Sequence, residues 1–506
     1  MTLATLLLPL DVVSTTGNLD VELSGITDDS REVVKGGLFV AVKGQQVDGH
    51  SFVAQVYRQQ VGGIVVQSPF QAPSRVRKEG GPAWIEVRDS RKALGQLASR
   101  FFQNPSQALR MVGVTGTNGK TTVAHVSQAV LEQGGYRTGL MGTVGYHVGA
   151  EYQAASHTTP GAIPLQAHLH RMVDAGMDTA VLEVSSHALA LDRVEGCEFD
   201  VVVFTNLTQD HLDFHETMES YYHAKSRLFQ EFVAPVSKMG PKRAIINIDD
   251  AWGVRLQAET SAPVWTYSLR QRADIFATNV TLSMDGTRFT VHTPRGALDI
   301  HSALVGEHNV SNLLASIGVG LARGLSLDDV QQGIRGFRAV PGRFERLEAG
   351  QDFSVIVDYA HTEDALAQLL VAARQLRRER IITVFGCGGD RDQGKRPKMG
   401  RVAAQHSDVV FLTSDNPRTE DPAAILRDIE QGVLGLSASE RGVSYVIPDR
   451  RAAIRAALLE ARPGDMVLIA GKGHEDYQII GKTRHRFDDR KVARELLAGL
   501  PDRRKR

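Results

Sequence analysis

The chain has 506 residues, of which 42% are hydrophobic and 23% are charged, a composition typical of a soluble folded protein. Its 58 Lys and Arg residues balance its 58 Asp and Glu residues, which excludes binding to nucleic acid or membranes through an overall electrostatic field. The length predicts about three domains.

Cysteine content and the N terminus bear on where the protein works. Cys197 and Cys387 are too few for a disulfide framework and match no zinc-binding spacing. The apolar start "MTLATLLLPL" has no Lys or Arg before Arg31, so it lacks the charged beginning of a signal peptide. No apolar run approaches the roughly 20 residues that span a bilayer. We therefore expect a cytoplasmic protein with no membrane insertion, and a solvated basic tail at Arg503–Arg506.

Short β-rich apolar segments alternate with helical segments through most of the chain. In chain order they are "LRMVGVTG", "DTAVLEVSS", "FDVVVFTN", "RAIINID", "FSVIVDYA", "RIITVFG", "DVVFLTSDN" and "DMVLIAGKG". Gly, Ser, Asn and Asp at their ends turn the chain or cap the next helix. This alternation predicts an α/β fold with mostly parallel sheets covered by helices, and functional loops at the carboxyl ends of the strands.

Two connections predict domain boundaries. The segment "FFQNPSQALRM" (101–111) is polar and contains a proline, and "FRAVPGRFERL" (337–347) carries a Pro-Gly turn before a new set of strands. We therefore predict three domains, at 1–107, 108–340 and 341–506.

The segment "GVTGTNGKTT" (113–122) resembles a phosphate-binding loop, although Gly113 lies one position too early for the G-x-x-x-x-G-K-[ST] pattern. A strand precedes it and a helix with apolar residues at helical spacing follows it. Backbone N–H groups at the helix N terminus face an anion in such a loop, Lys120 adds a positive charge, and the Thr121 hydroxyl can bind Mg²⁺. The alternative is a glycine-rich turn without a ligand.

A second segment, "GDRDQGK" (389–395), fits the spacing of G-x-x-x-x-G-K better than the first does. However, Arg396 follows it where a metal-binding hydroxyl belongs, and its two aspartates would repel phosphate. Chemistry therefore favours 113–122 as the nucleotide site.

Two strand ends carry candidate metal ligands. Glu183 ends the strand in "AVLEVSSHAL", and His211 follows the strand in "VVVFTNLTQDHLDFH". A carboxylate beside a phosphate site suits Mg²⁺, whereas a lone histidine such as His211 is as often structural. Lys225 lies in "YYHAKSRLF", which has the pattern of an ordinary amphipathic helix, and spacing alone predicts a solvated lysine there.

Eight motifs together resemble the Mur ligase family of ATP-dependent amide-bond-forming enzymes in peptidoglycan precursor synthesis. They are "GTNGKTT", "LEVSSHAL", "TNLTQDHLDFH", "YYHAKSRLF", "GEHNVSN", "PGRFE", "DYAHT" and "AGKGHEDYQ". The resemblance spans nearly the whole chain. It implies a smaller N-terminal α/β domain that binds UDP, a central P-loop-type ATP domain with helices on both faces of a mostly parallel sheet, and a Rossmann-like C-terminal domain that binds an amino acid.

The resemblance also assigns the ATP and metal residues. It implies catalytic roles for Lys120, Glu183, His211 and Lys225, with Mg²⁺ held by Thr121, Glu183, His211 and Lys225 as a carbamate formed with CO₂. The implied ATP contacts are Gly116, Thr117, Asn118, Gly119, Lys120, Thr121, Thr122, Asn309, Arg343, Asp358 and His361.

Contacts to a UDP-linked muramoyl dipeptide are implied in two regions. They are Ser30, Gln45, Gln46 and Val47 in the first domain, with Asp29 and Arg31 beside Ser30, and Thr158, Thr159, Ser185 and Arg193 in the second. His157 and Leu191 depart from residues commoner in the family, Asn and Gln, and so bear on the detail of these contacts.

The segments "TDDSREVVKGGLFVAVKG" and "SDNPR" resemble those family members that add a diamino acid. The planar guanidinium of Arg418 can pair twice with the distal carboxylate of meso-diaminopimelate, which L-lysine lacks. The implied diaminopimelate contacts are Arg391, Asp415, Asn416, Pro417, Arg418, Gly471 and Glu475. This reading places 389–395 in the amino acid site. The alternative interpretation is that Arg418 forms a salt bridge on the protein surface.

The implied reaction has two steps. A glutamyl carboxylate attacks the γ-phosphate of ATP, and an amine then attacks the resulting acyl phosphate and expels phosphate. Rival hypotheses are an L-lysine-adding ligase, an enzyme similar to folylpolyglutamate synthase, a kinase, and a non-catalytic nucleotide-binding regulator. We expect a monomer whose partners are small molecules, with no nucleic acid among them.

Overall fold

The computed structural model describes residues 1–8, 10–44, 47–70, 81–233, 238, 242–376 and 379–499. Three mostly parallel sheets and one hairpin organise these residues. The predicted α/β fold class is confirmed. Each of the three large sheets lies inside one of the three predicted intervals, while the boundaries near 107 and 340 stay predictions. No helix in the described ranges is long and apolar enough to cross a membrane.

The first sheet has five strands in the order β1-β5-β4-β3-β2, and only β1 is antiparallel to its neighbour. Asp89 begins the long helix of this region, because its carboxylate accepts the N–H groups of Arg91 and Lys92. The elements are α1 (Leu3–Leu7), β1 (Val12–Thr16), β2 (Ile26–Thr27), β3 (Leu38–Val40), a 3-10 helix (Gly49–Phe52), α2 (Val53–Tyr57), β4 (Gly63–Gln67), β5 (Ala83–Val87), α3 (Ser90–Phe101) and α4 (Pro105–Ala108).

The central sheet has eleven strands in the order β16-β15-β14-β13-β12-β11-β6-β10-β7-β8-β9. Its elements are β6 (Arg110–Thr115), α5 (Lys120–Gln133), β7 (Thr138–Met141), β8 (Gly145–Val148), β9 (Glu151–Ala154), α6 (Ala162–Asp174), β10 (Thr179–Glu183), α7 (Ser186–Ala190), β11 (Val201–Phe204), α8 (Leu212–His215), α9 (Met218–Gln230), β12 (Arg243–Asn247), α10 (Ala251–Glu259), β13 (Val264–Ser268), β14 (Ile275–Ser283), β15 (Gly286–Thr293), β16 (Gly296–Ser302), α11 (Glu307–Ala322) and α12 (Leu327–Gly336).

The middle of this sheet positions the site. Strand β6 pairs in parallel with β10 on one side and with β11 on the other. These strands are mostly apolar and, apart from Arg110 at the start of β6, buried, because helices pack on both faces of a parallel sheet. Their carboxyl ends therefore bring the phosphate loop, Glu183 and the segment 205–211 to one edge, as the sequence predicts.

The third sheet has six strands in the order β17-β18-β22-β19-β20-β21, all parallel except β17. Two apolar cores lie on its opposite faces. Its elements are β17 (Glu345–Leu347), β18 (Ser354–Asp358), α13 (Glu363–Leu376), β19 (Ile381–Phe385), α14 (Lys395–His406), β20 (Val409–Leu412), α15 (Pro422–Leu434), β21 (Val443–Val446), α16 (Arg450–Glu460), β22 (Met466–Ala470), the hairpin β23 (Tyr477–Ile480) and β24 (Thr483–Arg486), and α17 (Asp489–Ala498).

Candidate active site

The loop between β6 and α5 has a backbone that only glycine adopts readily at two positions. Gly116 has a φ of +147° and Gly119 a φ of +87°. A Cβ at Gly116 would lie 1.8 Å from Thr205 Oγ1, and one at Gly119 would lie 2.4 Å from Asn312 Oδ1. Lys120 Nζ donates to the carbonyls of Gly116 and Thr117, both at 2.9 Å. The loop thus curls around its own lysine, with α5 beginning at that residue.

Glu183 lies fully buried beside this loop. Thr121 Oγ1 donates to Glu183 Oε2 at 3.0 Å, and the N–H and Oγ1 of Thr143 donate to the same carboxylate at 2.8 and 2.9 Å. Arg343, from the third predicted domain, donates from Nη2 to Thr121 Oγ1 at 3.2 Å. A hydroxyl, a carboxylate and a guanidinium from three separate chain segments therefore meet at one point.

Lys225 is buried with only 1% of its surface exposed, so the expectation of a solvated lysine from helical spacing alone is wrong. Its Nζ donates to the Gly116 carbonyl at 2.8 Å and lies 4.5 Å from the centroid of the Tyr221 ring. Burial, together with the nearby Lys120, lowers the pKa of Lys225 well below its usual value. An amine whose uncharged form is favoured therefore lies against a carbonyl of the phosphate loop.

His211 lies in a cluster of rings at the end of β11. Its ring centroid is 4.7 Å from that of His187 and 6.2 Å from that of Tyr221, and its Nε2 is 3.3 Å from Asp210 Oδ2. Burial lowers the pKa of His211, although Asp210 opposes the shift. A neutral imidazole can bind a metal. Within the described ranges, no group of three or more His, Cys, Asp or Glu side chains is arranged to hold a metal ion by itself.

Oxygen donors beside the phosphate loop fit Mg²⁺. The Thr121 hydroxyl and the Glu183 carboxylate lie within hydrogen-bonding distance of each other, and Mg²⁺ in nucleotide sites binds one or two carboxylates together with phosphate oxygens and water. Thr121 and Glu183 are therefore the residues that best fit Mg²⁺, whereas a nitrogen ligand from His211 suits this ion less well.

The other predicted ATP residues surround Arg343. Its guanidinium lies 4.6 Å from the centroid of the Tyr359 ring. Asp358 accepts the N–H groups of Phe344 and Ala360, both at 2.7 Å, and thereby shapes the turn that carries Arg343. Of the remaining two, Asn309 is buried and accepts from Asn312, the neighbour of Gly119. His361 is half-buried, and desolvation together with Lys395 lowers its pKa to about 4.

Asp364 was not singled out from the sequence. Its Oδ2 accepts from Asn118 Nδ2 at 2.7 Å and from Thr208 Oγ1 at 3.4 Å, so the third sheet's first helix bonds to the phosphate loop. Asp364 follows the "DYAHT" motif by two residues, and this position was the only sign in the sequence that it belongs to the site. Nothing in the local pattern indicates its contact with Asn118, which lies 246 residues away in the chain.

The residues predicted to contact the muramoyl dipeptide in the second domain come together on the other side of Glu183. Thr159 Oγ1 donates to the Glu183 carbonyl at 2.8 Å and accepts the Ser185 N–H at 3.0 Å. Arg193 Nη1 donates to the Thr159 carbonyl at 3.1 Å, and the Thr158 and Thr143 hydroxyls lie 3.1 Å apart. These four predicted residues form one continuous polar patch with Glu183.

The two departures from the family pattern lie at the border of this patch. The carbonyl of His157 accepts the Tyr146 hydroxyl at 2.6 Å, and its ring nitrogen Nδ1 lies 3.3 Å from Ser156 Oγ. Leu191 is the last residue of the turn that ends α7.

The predicted uridine residues belong to loops of the first sheet. Ser30 is buried, and Arg31 forms an ion pair with Asp29 at 2.5 Å. Val47 is 55% exposed. Gln45 and Gln46 lie outside the described residues, as does the basic tail 503–506.

The predicted amino acid residues meet at the carboxyl ends of β19, β20 and β22. Arg418 has a φ of +50° and donates from Nη1 to the Gly389 carbonyl at 2.7 Å. Burial and the nearby Arg391 lower the pKa of Arg418, so two guanidiniums share this region. The ion pairs of the described ranges do not include Arg418, which argues against a surface salt bridge.

Two carboxylates lie opposite these arginines. Asn416 Nδ2 donates to Glu475 Oε2 at 2.9 Å, and a Cβ at Gly471 (φ +111°) would lie 2.8 Å from Asp415 Oδ2. Pro417 places its carbonyl against Gly389. The sequence did not single out Lys472, which is fully buried and bonds to both Asn416 and Glu475.

The segment 389–395 lies with this group of residues. Asp390 accepts the hydroxyl of Thr419, and the following Arg396 is 1% exposed between Glu420 and Asp428, each at 2.8 Å. The segment 389–395 therefore contacts the loop that carries Arg418. This position supports the interpretation that 389–395 is not a second phosphate loop.

Comparisons with known proteins give three family matches along the chain. Residues 22–102 match the Mur ligase family catalytic domain, residues 114–320 the Mur ligase middle domain, and residues 342–473 the Mur ligase glutamate ligase domain. A folylpolyglutamate synthase from Mycobacterium tuberculosis is similar in fold alone, with 18% identity, a TM-score of 0.63, and 81% of this chain and 96% of that chain covered.

Two similar relatives are UDP-N-acetylmuramoyl-L-alanyl-D-glutamate–2,6-diaminopimelate ligases. The one from Geobacter metallireducens is 45% identical, with 94% of each chain covered, and the one from Gloeobacter violaceus is 48% identical, with 95% of this chain and 94% of that one covered. A solved structure of the same ligase is 33% identical, with a TM-score of 0.69 and 99% of each chain covered. The chain therefore belongs to the Mur ligase family.

Proposed function

We propose that the protein adds meso-diaminopimelate to UDP-N-acetylmuramoyl-L-alanyl-D-glutamate in an ATP-dependent reaction that forms an amide bond. The observation that carries this substrate choice is the meeting of Arg391 and Arg418 with Asp415 and Glu475 at neighbouring strand ends. Two cations facing two anions complement the distal end of diaminopimelate, which carries one carboxylate and one ammonium. The names of the relatives agree with this choice.

The chemistry begins at the phosphate loop. A glutamyl carboxylate attacks the γ-phosphorus, the bond to the β-phosphate oxygen breaks, and ADP leaves with that electron pair. Lys120 and the N–H groups at the start of α5 face the phosphates and offset their charge. Thr121 and Glu183 would hold Mg²⁺, with His211 as a further predicted ligand, and the bound ion would further neutralise the phosphate oxygens.

The second step uses the patch between the two substrates. The amine of diaminopimelate attacks the acyl carbon, a C–N bond forms, and phosphate leaves with the electrons of the C–O bond. Thr158, Thr159, Ser185 and Arg193 border Glu183 and orient the dipeptide, while the residues at the ends of β19, β20 and β22 orient the amine. Alignment of the two reactants supplies a large part of the rate enhancement.

We further propose that Lys225 carries a carbamate. A neutral lysine amine attacks CO₂, an N–C bond forms, and one N–H proton leaves to water. The low pKa of the buried Lys225 supports this proposal, because only the neutral amine reacts. The product carries a negative charge where Lys225 and Lys120 otherwise place two amines close together, so it would offset the charge of Lys120 and support a metal ion.

The test is phosphate release from ATP in the presence of UDP-N-acetylmuramoyl-L-alanyl-D-glutamate, with meso-diaminopimelate, L-lysine or no amine. We expect release with diaminopimelate only. Arg418→Ala should raise the KM for diaminopimelate at least about 100-fold, because the ligand's distal carboxylate loses its bidentate partner. The matched control is Arg427→Ala, an exposed arginine 3.8 Å from Asp421, which should leave the KM unchanged.

Each of the other outcomes would favour a different function or a different role for Arg418. Release with lysine instead would keep the ligase and reject the role of Arg418. Release without any amine would favour a kinase or hydrolase. ATP binding with no release under any condition would favour a non-catalytic regulator, and release with folate and glutamate would favour the chemistry of folylpolyglutamate synthase.

A further inference from the structure

A fully buried lysine lies beneath the proposed diaminopimelate pocket. Lys472 has no exposed surface. Its Nζ donates to Asn416 Oδ1 at 3.1 Å and to Glu475 Oε2 at 3.0 Å, and it lies 3.9 Å from Asp415 Oδ1. All three partners are predicted contacts of the amino acid, whereas Lys472 itself is shielded from the pocket. A side chain in this position acts on the ligand only through its neighbours.

The charges around Lys472 are unequal without a ligand. Asp415 and Glu475 bring two carboxylates to the same region, and burial together with Asp415 raises the pKa of Glu475, while Lys472 opposes that rise. A buried carboxylate without a cation is costly, so two of them facing a single ligand ammonium would be poorly compensated. With Arg391 and Arg418 assigned to the ligand's distal carboxylate, the ammonium of Lys472 leaves one carboxylate's charge for the ligand's ammonium to match.

Lys472 also determines which way the amide of Asn416 points. The Asn416 oxygen accepts from Lys472 Nζ at 3.1 Å and from the Ile479 N–H at 3.0 Å, while its nitrogen donates to Glu475 Oε2 at 2.9 Å. Two donors on the oxygen hold it toward the protein, so the amide cannot turn without losing both bonds. Asn416 and Glu475 are thereby held in one arrangement before the ligand enters.

Lys238 provides a comparison for Lys472, because it forms a buried ion pair with a residue that is not a predicted ligand contact. Lys238 is also buried, at 8% exposed, and its Nζ lies 2.7 Å from Asp200 Oδ2. Asp200 belongs to the start of β11, on the opposite side of the central sheet from the strand ends that carry the site. Lys238 contacts no predicted ligand residue through this bond, so it provides a matched comparison for the loss of a buried lysine.

We propose that Lys472 is a positioning and specificity residue, which fixes Asn416 and Glu475 and neutralises one of the two pocket carboxylates so that the pocket accepts a single ligand ammonium. The proposal rests on the proposed addition of diaminopimelate. It assigns to the lysine of "AGKGHEDYQ" a role in recognising the distal amino acid group, although the lysine does not touch it.

Steady-state kinetics of Lys472→Met and Lys472→Gln test the proposal. We expect the KM for diaminopimelate to rise about 10- to 100-fold in both variants, with the KM for ATP and for the UDP-dipeptide within about 2-fold of wild type. At saturating diaminopimelate, kcat should stay within about 5-fold, because the reacting end of the ligand is remote from this contact. Lys238→Met should change none of these values, even if it lowers the melting temperature.

A double-variant cycle separates positioning from general loosening of the fold. Glu475→Gln should raise the KM for diaminopimelate, and Lys472→Met/Glu475→Gln should raise it by clearly less than the product of the two single effects, because Lys472 acts partly through Glu475. Multiplicative effects of the two substitutions would reject the proposal, as would equal losses in all three KM values. Failure of both single variants to fold would also reject it, since Lys472 would then serve the fold itself.

Wild-type protein distinguishes this failure from failure of the proposed function. If wild type releases phosphate with diaminopimelate and the Lys472 variants keep its KM, only the role of Lys472 is wrong. If wild type does not use diaminopimelate, the proposed function is wrong and the Lys472 proposal falls with it.

Discussion

Lys225 shows how much a single side chain depends on its surroundings. In α9 it follows Tyr221 by one helical turn, and its helix has the polar and apolar spacing of a surface helix. Its Nζ nevertheless lies against the Gly116 carbonyl in a site that excludes water. Burial disfavours the charged amine, and Lys120 repels it further, so the surroundings favour the uncharged form of this amine.

The Lys225→Met variant tests that chemistry, because methionine has a similar length and no amine. We expect kcat to fall on the order of 100-fold, since an anionic group near the phosphates is lost. The melting temperature should be equal or higher, because a buried amine is removed from an apolar site. Wild-type activity should also fall in CO₂-depleted buffer and return with bicarbonate. Full activity in CO₂-free buffer over many turnovers would contradict the carbamate.

The strand β6, its loop and helix α5 form the element on which nucleotide binding depends. Gly116 is packed so closely against Thr205, which follows β11, that the neighbouring strand's end forms one wall of the loop. Thr205 Oγ1 donates to the Asn118 carbonyl at 2.6 Å, and the Asn118 N–H donates to Asn206 Oδ1 at 2.9 Å. The shape of the loop is therefore a property of two adjacent strands.

Gly116→Ala should disrupt this element. The new Cβ would overlap Thr205 Oγ1 at 1.8 Å and force the loop away from β11. We expect the KM for ATP to rise at least about 10-fold through misplaced N–H donors. The control is Gly135→Ala at the other end of α5, which has a φ of +87° and no atom within 4 Å of the new Cβ. It should cost about 1 to 2 kcal/mol of unfolding free energy through backbone strain and leave the KM for ATP unchanged. Equal effects of the two variants on ATP would contradict this account.

At the scale of the whole molecule, the site exists only where the central and C-terminal sheets meet. Arg343 bonds to Thr121, and Asp364 bonds to Asn118 and Thr208. Each contact joins the phosphate loop or the neighbouring end of β11 to the region that is proposed to hold the amino acid. We therefore expect ATP bound in the loop to favour the arrangement in which the two regions are close over one in which they are apart, because ATP would make more contacts in the close arrangement.

Asp364→Ala should weaken this coupling. Loss of a charged hydrogen bond to Asn118 is expected to raise the KM for ATP about 10-fold and to reduce the ATP-induced decrease in the radius of gyration measured by small-angle X-ray scattering. Lys398→Ala removes another contact across the same boundary, 2.6 Å from Lys398 Nζ to Gln209 Oε1, but an exposed one. It should change the KM by less than about 2-fold. Compaction by ATP that is equal in wild type and Asp364→Ala would argue that Asp364 does not couple the regions.

Local patterns in the sequence were sufficient for the fold class and for the centre of the site. Apolar segments followed by turn residues predicted the parallel sheets, because such strands are buried on both faces and their loops meet at one edge. The glycine and lysine of 113–122 predicted the phosphate loop, whose backbone chemistry is contained in consecutive residues. The family resemblance then directed attention to Lys225 and to the Arg418 loop.

Tertiary structure alone decided which side chains are buried together and which distant residues support them. Helical spacing could not tell a buried Lys225 from a solvated one, because the depth of a face depends on what packs against it. Asp364 lies two residues after one motif and Lys472 lies inside another, but nothing local indicated their contacts with Asn118 and Asn416, which belong to other segments of the chain. The sequence by itself determined the elements and the chemistry offered at their ends, whereas the packing of three sheets determined distances, burial and pKa shifts, which depend on contacts between residues far apart in the chain.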